Sequence, residues 1–146
     1  MLNIDKWIYS IAKADSTLLT LIGGTATDPR IYEVYPPKSL LPLSSTYPAY
    51  ITYGLAPSGG GYGDVYQIQV PDEIYEFHIF ANTKAKMNTV FERIDTLFNK
   101  IFNASITGWI VRRIYRTYQG EIHESDDHLY HKVLEYTFEG IWKKVS

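Results

Sequence analysis

Residues 73–101, EIYEFHIFANTKAKMNTVFERIDTLFNKI, contain the change of hydrophobic period that decides the fold. From Glu73 to Ala81, Tyr75, Phe77 and Ile79 fall on one side and Glu76 and His78 on the other, the alternation of a strand covered on one face. Met87, Val90, Phe91, Ile94, Leu97, Phe98 and Ile101 then recur at helical spacing. Lys84, Lys86, Glu92, Arg93, Asp95 and Lys100 fill the other side of that helix, and Asn82 or Thr83 can cap it. A strand that runs straight into an amphipathic helix calls for a sheet with a helical layer on it.

The rest of the chain extends this plan. Ile4, Trp7, Ile8, Ile11, Leu18, Leu19 and Ile22 predict a helix that Asn3 can cap and Gly23-Gly24 ends, with Asp15-Ser16 marking a kink or a break into two. Short strands are predicted at Arg30 to Tyr35 and Ala49 to Leu55, and longer ones at Trp109 to Tyr118 and Tyr130 to Trp142. The order α-β-β-β-α-β-β, joined mostly by hairpins, implies an α/β chain of the α+β kind. We expect a mostly antiparallel sheet of about four to five strands with two helices packed on one face. Residues 1–146 read as one domain with a flexible glycine-rich loop at about 56–72, which includes Gly60, Gly61, Tyr62 and Tyr66. Neither a leader segment nor an apolar run long enough to span a bilayer is visible, so a soluble, cytosolic product is expected.

Composition removes several function classes. The absence of cysteine excludes a disulfide framework, thiolate zinc, iron–sulfur clusters and a thiol nucleophile. Fourteen basic against sixteen acidic residues leave a net charge of -2, which is not the balance of a dedicated nucleic-acid binder. Thirteen tyrosines and three tryptophans at a mean hydropathy of -0.18 point to contact surface beyond one core.

The glycine cluster has no Gly-Lys-Ser/Thr ending and leads into a strand, so it is not a phosphate loop. His123, Glu124, Ser125, Asp126, Asp127, His128 and His131 could offer donors to a divalent cation, but Asp127 stands where a zincin-type helix needs its second histidine. Glu121, Glu124, Asp126 and Asp127 therefore read as a solvated acidic hairpin loop. No nucleophile elbow is present, and His78 alternates with Glu76 on a strand as a surface or interface residue, so no catalytic site is expected. Arg112, Arg113 and Arg116 form a basic strip beside Tyr115 and Tyr118, and alternation sends Arg113 to the face opposite the other two. Arg112 and Arg116 could touch phosphates, or pair with Glu135 and Glu139 if the next strand lies alongside; cross-strand pairing is the simpler reading.

The ordered set of segments carries a resemblance. Ala14-Asp15 through Leu18 to Gly23 is followed by Pro29-Arg30-Ile31-Tyr32, Tyr47-Pro48-Ala49-Tyr50-Ile51-Thr52-Tyr53 and Phe77-His78-Ile79-Phe80-Ala81. After the long helix come the His123-Glu124 to Asp127 loop and His131-Lys132-Val133-Leu134-Glu135-Tyr136. Across roughly Ile4 to Trp142 this resembles the tail terminator (tail completion, tail-to-head joining) proteins of long-tailed bacteriophages, prophages and gene-transfer agents. The resemblance implies a structural, non-enzymatic subunit without cofactor or metal, assembled in the host cytoplasm into a ring, expected to be a hexamer. That ring would cap the tail tube at the head-proximal end of the virion tail. Its implied partners are other copies of itself, the major tail tube protein and the head connector or stopper protein. DNA would pass only in transit and no membrane would be involved. Gly60, Gly61, Tyr62 and Tyr66 would then belong to an arm that orders on tube or subunit contact, and Arg112, Arg113 and Arg116 would line the lumen or a subunit boundary. The alternatives are another neck component, such as a head-completion or stopper protein, a minor tail protein, a small metal-dependent enzyme, or a cellular binding module.

Overall fold

The computed structural model describes residues 3–33, 42–56, 69–122 and 129–144. The predicted first helix is two. α1 (Ile4–Ala14) buries Ile4, Ile8 and Ala12, and α2 (Ser16–Ile22) buries Leu18 and Ile22. Asn3 makes no side-chain cap. Asp15 instead leaves the helical region, and its Oδ2 accepts the Leu18 N–H at 2.9 Å, so the residue that breaks the first helix starts the second. Its carboxylate also takes two hydrogen bonds from Arg93, at 2.8 and 2.6 Å. The Arg93 guanidinium holds the Asp15 carboxyl below the usual range. Stability from this group is therefore present above the ordinary aspartate value of 3.8 and is lost as pH falls through the lowered one. Asp15→Ala should cost at least about 1 kcal/mol at pH 7 from the cap alone. In urea titrations its deficit should shrink toward pH 3; a deficit independent of pH would contradict this role.

β1 (Ile31–Glu33) and β2 (Ala49–Leu55) pair in parallel, and β2 pairs antiparallel with β4 (Glu73–Ala81). α3 (Lys84–Phe98) follows, with Thr83 rather than Asn82 capping it through Lys86 N at 3.1 Å. β5 (Ile101–Ile106), β6 (Trp109–Ile122) and β7 (Tyr130–Lys143) complete an antiparallel meander. The sheet order is β1-β2-β4-β7-β6-β5, with the two-residue β3 (Gln69–Val70) pairing the end of β7 off this path. The α+β class holds, with mostly antiparallel pairing as expected. The described residues hold seven strands rather than four to five, and three helices rather than two.

Two strands were not visible in the sequence. β3 is too short to show a period. β5 begins at Ile101, which continues the apolar spacing of α3, yet the helix stops at Phe98 and the chain turns at Lys100 (φ 60°). Thr107 (φ 48°) and Gly108 (φ 82°) join β5 to β6 in a two-residue turn with both residues left-handed. Thr107 is β-branched and strained there. Thr107→Asn should stabilise the protein by of order 1 kcal/mol, read as a higher urea midpoint; an unchanged midpoint would contradict the assignment.

The helices cover one face of the sheet. Met87, Val90, Ile94 and Phe98 of α3 meet Phe77 and Ile79 of β4 and Leu134, Tyr136 and Phe138 of β7 in one core. Phe77 lies at its centre, with ring centroids 5.1 Å from Phe98, 5.6 Å from Tyr136 and 6.2 Å from Tyr53. Trp7 of α1 adds edge contacts to Phe98 and Phe138. The Tyr136 hydroxyl donates to Asp95 at 3.0 Å, which satisfies the polar end of a buried ring.

Three neighbouring strands break their alternation at one level. Core residues are spaced by three instead of two in β5 (Ile101, Ala104), β6 (Val111, Ile114) and β7 (Phe138, Ile141). The ladder is regular on both sides of this level but skips Asn103, Arg112 and Gly140. Asn103 (φ 55°) and Gly140 (φ 67°) are left-handed there, and a Cβ on Gly140 would lie 2.8 Å from the Arg112 Cβ. Each strand spends one residue on the same kink, so inter-strand register survives while the phase of inside and outside flips.

Candidate functional site

The kink disperses the arginine strip. Strict alternation placed Arg112 with Arg116 and opposite Arg113; instead Arg112 and Arg113 both project outward, and Arg116 faces the helices. Arg113 Nε donates to Glu139 at 3.0 Å, which lowers the Glu139 carboxyl, and its guanidinium lies 4.1 Å over the Tyr115 ring. Arg116 pairs with Asp95 of α3 at 2.7 Å and sits 5.1 Å over Phe91. Cross-strand pairing is thus realised by Arg113 with Glu139, not by Arg112 or Arg116. Arg112 is exposed and makes no hydrogen bond or ion pair among the described residues.

Of the expected acidic hairpin loop, Glu121 lies within β6 opposite Lys132, because the strand continues to Ile122 instead of ending near Tyr118. An extra residue, Thr117, shifts the register between Arg116 and Tyr118 and keeps the hairpin paired beyond that point. Glu124, Asp126 and Asp127, and the arm residues Gly60, Gly61, Tyr62 and Tyr66, lie outside the described residues. Among those described, no three His, Asp or Glu side chains form a metal-binding group.

The sheet face away from the helices carries an aromatic row. Tyr50 stacks on Phe80 at 4.8 Å and Phe80 on His131 at 4.1 Å, and Tyr32 meets Tyr50 edge-on at 6.4 Å. Beside it His78 Nδ1 hydrogen-bonds His131 Nε2 at 2.6 Å, and its Nε2 bonds Glu76. His78 thus lies on the outer sheet face, joined side by side to a second strand.

Three features look outward for partners. β1 and β5 are the two ends of the strand order, and β6 from Tyr115 onward has no described strand on its β5 side. Phe102 of β5 is 63% exposed and Trp142 of β7 52%, with Tyr118 and Ile122 also exposed on the long hairpin. At the β1 end an open cleft of about 300 Å³ is lined by Lys6, Tyr9, Glu33 and Tyr53. Sequence reading missed this cleft because its walls come from α1, β1 and β2, and none of these residues forms a motif alone. The surplus of tyrosine was the one signal of it.

No protein-family model and no curated protein matches this chain. Among solved structures it is similar to a chain of the "Virion of native gene transfer agent (GTA) particle", with a TM-score of 0.68 at 11% sequence identity. The likeness covers 94% of this chain and 92% of that one, so both have the same fold over nearly their whole lengths.

Proposed function

We propose that this chain is a structural, non-enzymatic subunit of a phage-like virion and, more specifically, a tail terminator. In this reading it forms a ring, a hexamer, that caps the tail tube, ends tube polymerisation and offers the surface to which the head joins. The observation that supports it best is the end-to-end fold likeness to a chain of a gene transfer agent virion. The ordered sequence segments that resemble terminators point the same way.

The physics of capping suits the molecule. A head-to-tail contact closes into a ring when the rotation between neighbours divides a circle. The short strands β1 and β5, which end the sheet among the described residues, offer backbone groups to such a contact. Exposed Phe102, Trp142 and Tyr118 add apolar area for tube, neighbour or head connector. A subunit with net charge -2 would let DNA pass without gripping it. The glycine-rich stretch with Tyr62 and Tyr66 is the proposed tube contact, since glycine permits ordering on binding and tyrosine supplies area.

A second reading, another neck component such as a stopper or a minor tail protein, rests on the same fold likeness, because the similar chain is described only as part of a particle. Disruption of the gene separates the two. A terminator defect leaves overlong or unjoined tails beside DNA-filled heads, whereas a stopper defect leaves heads that lose their DNA.

A further inference from the structure

We propose that the cleft between α1 and β1 is a socket for Arg112 of a second copy of this chain, so that opposite ends of the sheet join neighbours head to tail. The proposal rests on the ring reading above and names the contact that would close it.

The socket side is built for a guanidinium. Tyr9 and Tyr53 stack with centroids 6.5 Å apart and line the cleft, with Lys13 Nζ 5.6 Å over the Tyr9 ring, and Glu33 supplies a carboxylate on the edge strand. Asp5, in the first turn of α1, lies beside Glu33, so two carboxyls gather at a cleft that Lys6 also lines. Partial burial and that contact hold the Glu33 carboxyl above its usual range, opposed by Lys6. A planar cation that stacks on tyrosine and bonds two carboxylates would relieve the arrangement, and arginine has that shape.

The plug side stands at the far end of the strand order. Four of the five arginines are engaged within the chain: Arg30 donates to the Ala49 carbonyl, Arg93 pairs with Asp15, Arg113 with Glu139 and Arg116 with Asp95. Among the described residues Arg112 alone of the arginines makes no hydrogen bond or ion pair, although it feels the Glu139 charge, and it is pushed outward by a kink that costs three strands their alternation. Nearby Lys100 and Lys143 are also exposed, which makes this end basic, whereas the cleft end sets Asp5 and Glu33 beside Lys6 and Lys13. Socket and plug lie on different surfaces, so each copy can use both at once. That is the requirement of a closed, heterologous ring.

Charge reversal tests it. Glu33→Arg and Arg112→Glu should each weaken ring formation at least tenfold in sedimentation velocity, measured with and without purified tail tubes, while thermal unfolding of the monomer stays near wild type. An equimolar mixture of the two variants should form rings again, because each supplies the complement of the other. The double variant should do so alone. If the single variants assemble like wild type, or the mixture fails to recover, the socket is wrong while the ring reading stands. If wild type never sediments above monomer even with tubes, the ring reading fails and this contact with it.

Discussion

Phe77→Ala is expected to remove about 3–5 kcal/mol of stability, the usual range for truncating a buried aromatic residue. Phe77 is 1% exposed and sits where β2, β4, β7 and α3 meet, against Tyr53, Tyr136 and Phe98. Their rings are locked by neighbours on the far side, so the site cannot collapse to fill the void. Against a typical domain stability of about 5–15 kcal/mol, much of the population would unfold at 37 °C. Phe102→Ala removes the same ring from a 63% exposed position and should change stability by less than about 0.5 kcal/mol. Urea denaturation of both variants checks the contrast. Equal losses would mean that the core is not centred on Phe77.

Gly23→Ala should be the second most damaging change. Gly23 closes α2 in the left-handed region at φ 74°, which alone costs an alanine about 1–2 kcal/mol. Its added Cβ would also fall 2.4 Å from the Thr46 carbonyl oxygen and 3.2 Å from the Tyr47 Cα. Both are backbone atoms of the segment that leads into β2, so relief requires moving that segment away from α2. Gly108→Ala provides the reference, because Gly108 has a similar φ of 82° with no atom within 4 Å of a new Cβ. The thermal midpoint should drop further for Gly23→Ala than for Gly108→Ala. The excess measures how tightly the α2 end is seated on residues 46–48. Equal drops would show that the seat is loose.

The sequence made the sheet and its helical cover legible wherever a period ran long enough. The α3 stripe from Met87 to Phe98 and the alternation of β4 are both buried as their spacing requires. Legibility ended where one residue served two elements or where a strand left its period. Ile101 fits the α3 spacing yet begins β5, and β3 has two residues and no pattern to show. The kink at Asn103, Arg112 and Gly140 misled the reading of the arginines, because alternation assigns faces only while φ stays extended. Asn103 and Gly140 are residue types that tolerate left-handed backbone, but nothing in one strand announces that its two neighbours kink at the same level. The cleft at Glu33 was hidden for a related reason: α1, β1 and β2 bring together residues up to 47 positions apart.

The central claim, that this chain ends tail-tube growth by capping the tube, is tested most directly by electron microscopy of purified protein added to elongating tail tubes. Tubes bearing a ring at one end, with no further lengthening once the ring is in place, are the expected result. Tubes that keep growing with bare ends in the presence of excess protein would contradict it.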